Sequence, residues 1–156
     1  MDVRFLCDRN LGKLAKWLRI LGYDTLWDRG DADQGFLRKA GREGRIALTR
    51  KRNLGGGGSE RLIVVRTDQV EGQIGEILET LTMKPDPKDR MTLCLRCNAM
   101  LEAATKEEVE GAVPAYVYQN STYFRKCPIC GRIYWPGTHA RNVEELLRMR
   151  IPTRPL

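Results

Sequence analysis

Four of the five cysteines are spaced to hold a metal ion. Cys94-Leu-Arg-Cys97 and Cys127-Pro-Ile-Cys130 are two CxxC pairs with 29 residues between them. Each pair can make a tight turn that aims both sulfurs at one point, with nearby backbone N–H groups supporting thiolate charge. Two such turns complete a closed S4 set, the coordination of structural zinc, and Gly131 suits the backbone conformation that the second turn demands. Disulfides, a rubredoxin-like iron site and unliganded core cysteines are the alternatives, and S4 geometry by itself does not separate zinc from iron. A closed site has no open position for substrate, so the metal is assigned no catalytic role. Cys7 stands apart in an apolar run and reads as a small buried residue.

A second set of chemistry-bearing residues lies near the N-terminus. Asp8 ends the first apolar run, and Asp28, Asp31 and Asp33 follow the second. Open parallel sheets bind ligands beyond the carboxyl ends of their strands, and carboxylates converging there can hold Mg²⁺ or Mn²⁺ beside a phosphate. Lys13, Lys16, Arg50 and Arg52, with Arg9, are placed to seat a nucleic-acid backbone. Each residue also has a plainer reading. Asp31 or Asp33 can cap a helix, and the Arg9/Lys13/Lys16 stripe can be the solvated face of an amphipathic helix. His139 has no cysteine or serine partner in sequence and reads as structural. The run Gly55 to Gly58 lacks a Walker lysine and reads as a loop.

These groups need elements to position them. Residues 3–7 form a buried strand, and from Leu11 the period becomes helical, with Leu11, Leu14, Leu18 and Leu21 on one face until Gly22 stops it. Strands are expected at 23–27, 45–49 and 62–65, with helices at about 33–42 and 68–82. The order β-α-β-α-β-β-α indicates an α/β layer with a mainly parallel sheet. The proline-punctuated stretch 83–90 separates a domain at 1–85 from a module at 91–156. In that module, 115–119 and 122–125 are aromatic strand candidates, and a helix is expected at about 141–150.

Bulk properties narrow the partners. The 156 residues carry a formal charge of +7, spread over both halves, with 16 basic and 12 acidic side chains in 1–85 and 11 and 8 in 86–156. That balance favours a polyanionic partner. No apolar run approaches the ~20 residues of a membrane span, and Met1-Asp2-Val3-Arg4 lacks a signal-peptide pattern. A cytoplasmic protein is expected, where paired cysteines hold metal rather than disulfides.

Several of these segments, taken in order, resemble one known family. The stretch from Asp8-Arg-Asn-Leu-Gly-Lys-Leu-Ala-Lys-Trp to Gly22-Tyr-Asp-Thr25, then Gly44-Arg-Ile-Ala-Leu-Thr-Arg50, the two CxxC pairs, and Ile133-Tyr-Trp-Pro-Gly-Thr-His139 are similar to the Mut-seven C-terminal RNase domain family. The resemblance implies a PIN-like fold with a C-terminal zinc ribbon, RNA as substrate and divalent-metal phosphodiester hydrolysis. It matches Asp8 to the first-strand carboxylate and Asp33 to the acidic residue opening the second helix, with Asp31 as a neighbour and Asp28 in reserve. Where such families typically read Thr-Arg-Asp, this chain has Lys51. Replacing a ligand by a cation swings the local charge by two units and opposes metal binding. Two functions therefore stand at this point: a metal-dependent ribonuclease, or an RNA-binding module that has lost the chemistry.

Overall fold

The computed structural model describes residues 3–54, 61–136 and 143–147. The chain divides into two compact units, 1–91 and 92–156. His139 and Gly55 to Gly58 lie outside the described residues, as does half of the terminal helix expected at about 141–150, of which 143–147 are described and helical.

The first unit is built on four short parallel strands in the order β2-β1-β3-β4, with β1 Phe5–Cys7, β2 Thr25–Trp27, β3 Ile46–Thr49 and β4 Leu62–Val64. Helices α1 Gly12–Ile20 and α2 Gln34–Arg42 connect the first three strands, and α3 Val70–Thr80 follows the fourth. The mixed α/β architecture with a parallel sheet flanked by helices agrees with the periodicity. β1 and β3 are buried at every position, as central parallel strands covered on both faces must be. α1 buries Leu14, Ala15, Leu18 and Ile20, one stripe at helical spacing. Its buried Arg19 donates from Nε to the carbonyl of Thr25 at 2.8 Å, tying the end of the helix to β2. Leu6, Phe36, Leu37, Ala40, Ala47 and Leu54 pack together where α2 covers the sheet.

The register sets the site. Cys7 faces Trp27 on one side and Leu48 on the other, and Asp8 N–H donates to the carbonyl of Leu48 at 3.0 Å. The residues just beyond β1 and β3 are therefore neighbours at the carboxyl edge. Cys7 itself is fully buried. Burial, reinforced by the adjacent Asp8 carboxylate, pushes its thiol up, which leaves it an inert core residue.

The second unit holds a three-stranded antiparallel sheet in the order β5-β6-β7, formed by Glu102–Ala104, Phe124–Lys126 and Ile133–Tyr134, with short helices α4 Lys106–Val109 and α5 Ala115–Asn120 between β5 and β6. Here one expectation fails. Residues 115–119 form α5, not a strand. Their alternation of aromatic and β-branched side chains looks like a strand, but Pro114 opens a helix and Val117 is the one residue of α5 that is buried, against Val109 and Phe124. Among the described residues no helix is long and apolar enough to cross a membrane.

Candidate active site and metal centre

Asp8 is only 1% exposed and sits at the junction of β1 and β3. Its Oδ2 accepts the Thr49 hydroxyl at 2.6 Å and the Arg50 N–H at 2.9 Å, and its Oδ1 accepts the Asn10 N–H at 2.8 Å. A carboxylate oxygen has two acceptor positions, so Oδ2 is saturated and Oδ1 keeps one. Thr49 was not evident as a site residue, because its neighbour across the sheet is known only once the register is. Its hydroxyl also accepts the Lys51 N–H at 3.0 Å, so one short hydrogen-bonded chain fixes the end of β3 against Asp8.

The other carboxylates sit in the connection from β2 to α2. Asp33 is the N-cap of α2, where Oδ1 accepts the Phe36 N–H at 3.1 Å, and its Oδ2 has no partner among the described residues. Asp31 is exposed and pairs with Arg9 at 3.3 Å. Asp28 accepts the Gly30 N–H at 2.8 Å and faces Lys39 at 3.6 Å. The four do not gather as a preformed metal cage: among the described residues, the cysteines are the group of three or more candidate ligands that closes up.

Arg50 and Lys51 follow β3 at this edge. Lys51 donates from Nζ to the carbonyl of Ala32 at 3.2 Å, which holds its ammonium beside the residue that precedes Asp33 in the chain. Lys13 and Lys16 are exposed on α1 and Arg52 is exposed after β3, all without a partner among the described residues. Arg50 is differently placed. It donates to the carbonyls of Val65 and Thr67 at 3.1 and 2.8 Å and pairs with Asp68 at 2.5 Å, so its guanidinium bridges β3 to the start of α3.

The cysteines form the tighter centre. The sulfurs of Cys94, Cys97, Cys127 and Cys130 all lie within 4.8 Å of one another, with Cys94 and Cys130 at 3.7 Å. A Zn–S bond of about 2.3 Å in a tetrahedron requires sulfurs about 3.8 Å apart, so the cluster fits a structural zinc site. The two turns are built alike. The Asn98 N–H donates to the Cys94 carbonyl at 2.8 Å, and the Gly131 N–H to that of Cys127 at 3.0 Å. The residue after each pair takes a left-handed backbone, φ +62 at Asn98 and +76 at Gly131, as asparagine and glycine tolerate. The N–H groups of Cys97 and Cys130 point at the first sulfur of their own turn, at 3.4 and 3.5 Å.

Tyr134 supports this centre from β7. The Leu95 N–H donates to its hydroxyl oxygen at 3.0 Å, and that oxygen lies 3.2 Å from the Cys94 sulfur. Beside a Cys94 thiolate, which has no proton to give, the hydroxyl donates to the sulfur. Burial raises the Cys94 thiol, but the hydrogen bonds from Tyr134 and from the backbone of Cys97 and Arg96 outweigh it and bring the thiol down to about 6. Cys97 is pushed up to about 12 by burial, by its hydrogen bonds to Cys130 and Cys127, and by charge on Cys94. Thiolates this close repel one another, and a divalent cation removes the conflict. Tyr134→Phe keeps the ring but removes the hydroxyl. By the usual effect of losing a group that supports a metal ligand, zinc affinity should fall about 10- to 100-fold with the fold retained. Competition against a chelating dye measures this, and an unchanged zinc affinity would show that the hydroxyl is incidental.

A parallel α/β sheet with a carboxylate at its carboxyl edge, followed by a four-cysteine ribbon, places the molecule among two-part proteins whose second module is fitted to a structural metal. More particularly, the chain belongs to the Mut7-C RNase domain family, whose model matches residues 3–147. Comparison with curated proteins and with solved structures gives no match.

Proposed function

We propose that the chain is a ribonuclease that hydrolyses RNA phosphodiester bonds at the carboxyl edge of its parallel sheet, in a PIN-like domain over about 1–85. The observation that carries this reading is the fixed Asp8 carboxylate, held by three donors at the junction of β1 and β3, in a chain of an RNase family. Mg²⁺ needs no complete protein cage, since it commonly binds through one or two carboxylates together with substrate phosphate and water. Asp8 Oδ1 and Asp33 Oδ2 are the acceptor positions left for it. The bound ion would polarise the scissile phosphoryl group and ease ionisation of the attacking water.

The chain's own groups do the rest. Thr49 and the Arg50 N–H hold the Asp8 carboxylate in place, and Asp33 stands at the start of α2. Asp31 and Asp28 are reserve carboxylates, already engaged by Arg9 and Lys39. Lys13, Lys16 and Arg52 contact the phosphates of the RNA backbone. Arg50 shares that role only by turning from its carbonyl and Asp68 partners.

The second reading, an RNA-binding module without catalysis, is favoured by one observation: the Lys51 ammonium is anchored on Ala32, a positive charge next in space to the loop that carries Asp33. Substitutions separate the two readings. Asp33→Asn preserves the helix cap, because asparagine caps as well as aspartate, yet removes the charge. Loss of several kcal/mol of metal-assisted stabilisation should slow Mn²⁺- or Mg²⁺-dependent cleavage of labelled RNAs about a hundredfold or more. Lys51→Asp should raise cleavage and lower the Mn²⁺ concentration required. If well-folded wild type binds RNA but cuts none, and Lys51→Asp gains activity, the non-catalytic reading holds for the natural chain.

A further inference from the structure

We infer that the ribbon unit carries a second RNA-contacting surface, a groove beside the Cys127–Cys130 turn that seats a single-stranded nucleotide with its base against Trp135 and its phosphate between Arg96 and Arg132. The inference rests on the RNA reading above and adds a place and a ligand chemistry to it.

The groove has a volume of about 510 Å³ and is lined chiefly by Arg96, Cys130, Gly131, Arg132, Ile133 and Trp135, with no carboxylate in its wall. That size lies within the ordinary range of small-molecule sites, about 300–1,000 Å³. Its floor is rigid. Ile133 and Trp135 are only partly buried, and both pack against the cluster of Val109, Val117 and Phe124. A partly buried indole held by the core is a ready platform for stacking, which accepts any base. The two arginines come from different turns of the metal site, one within each knuckle region, so the zinc-organised backbone fixes their spacing. Both are exposed, and Arg132 also reaches the Tyr134 hydroxyl. Planar guanidinium groups suit phosphate by paired hydrogen bonds.

The ribbon unit also exposes more apolar surface than the sheet unit does. Among the described residues, the large apolar side chains left exposed are Met100, Tyr116, Tyr123 and Ile129 in this unit, against Trp27 alone in the sheet unit. Ile129 lies in the second knuckle itself and is 72% exposed. An acidic peptide would satisfy the arginines but leave the indole face unused, whereas a nucleotide uses both. One structural account competes. Zinc bound by four thiolates carries a charge of −2, and Arg96 and Arg132 can serve simply as its counter-ions.

The test uses the full-length, zinc-loaded protein and fluorescein-labelled oligouridine, without added Mg²⁺ or Mn²⁺, with affinity measured across a salt series. Arg96→Gln/Arg132→Gln is compared with Lys13→Gln/Lys16→Gln, and zinc content is measured for each. The ribbon variant should bind at least about tenfold more weakly at low salt, and its log–log salt slope should shrink by about 1.4, the loss of two single-strand phosphate contacts. Cross-linking of 4-thiouridine oligomer to the wild-type chain should label the segment containing Trp135, a readout that needs no variant. Unchanged affinity and slope in the ribbon variant, with labelling confined to 1–91, would overturn the inference while leaving the RNA reading intact. A ribbon variant that loses zinc but binds RNA as wild type does would make the arginines counter-ions. If wild type binds no RNA at any salt, the RNA reading fails and this surface falls with it.

Discussion

Withdrawal of zinc from the cysteine cluster is expected to unfold 92–136 while the parallel sheet of the first unit stays folded. The expectation follows from how little else holds the ribbon. Its strands β5 to β7 are two or three residues long, its helices α4 and α5 have four and six residues, and among the described residues Val109, Val117 and Phe124 form its small buried cluster, with Leu93, Val143, Leu146 and Leu147 also buried. Modules this small do not repay their conformational entropy by apolar burial alone, and metals or disulfides make up the deficit. Structural zinc contributes about 10–16 kcal/mol of apparent binding free energy in small peptides at neutral pH, as much as the whole stability of an ordinary domain, about 5–15 kcal/mol. The first unit by contrast buries Phe5, Leu6, Leu11, Leu14, Leu18, Leu48, Ile74 and Ile77 almost completely. Hydrogen exchange before and after chelation reads the two units separately. Protection should vanish at β5, β6 and β7 and persist at β1 and β3. Cys127→Ser should reproduce the effect without chelator. Retention of ribbon protection after stoichiometric metal loss would mean that the small core suffices and that zinc is not its support.

The contrast between the units also explains what could be read from the sequence. β1 and β3 were legible because buried parallel strands are apolar along nearly their whole length, and α1 because Leu11, Leu14 and Leu18 recur at helical spacing through a long enough run. The cysteine cluster was legible because two CxxC pairs specify a local turn whose chemistry does not depend on the fold. In the ribbon none of β5 to β7, α4 and α5 spans two full periods of its pattern. Six residues of α5 present a single buried position, Val117, so the alternation of 115–119 pointed to a strand with nothing to contradict it. β5 is exposed or half-buried along its length and begins with Glu102, so no apolar signal marks it. Thr49 and Tyr134 escaped notice for another reason. Each acts across the fold, Thr49 on Asp8 and Tyr134 on Cys94, through pairings that register and topology create and spacing does not encode. Lys51 was visible as a departure from the family pattern, but its anchor on the Ala32 carbonyl was not.

Gly22→Ala should be among the most destabilising single substitutions in the first unit, although it adds one methyl group. Gly22 follows α1 with φ +99, a conformation that a side chain resists by about 1–2 kcal/mol. The space is also taken. A Cβ built there lies 2.4 Å from the carbonyl oxygen of Asp89 and 2.7 Å from its Cβ. The obstacle is mainly backbone, so no side-chain rotation relieves it. The segment 86–91 must instead move away from the end of α1, against the hydrogen bond from the Met91 N–H to the Ile20 carbonyl at 2.9 Å. Overpacking of this kind adds about 1–3 kcal/mol. The sum, about 2–5 kcal/mol, corresponds to a fall in melting temperature of roughly 10 °C or more for a unit of this size. Gly131→Ala is the control, since its φ is +76 but nothing lies within 4 Å of the added Cβ. It should cost only the backbone term, about 1–2 kcal/mol. Thermal melts of the two variants, each followed by a probe in its own unit, separate strain from collision. If Gly22→Ala is no worse than Gly131→Ala, the 86–91 segment yields freely, and close packing of Asp89 on the helix end does not stabilise the first unit.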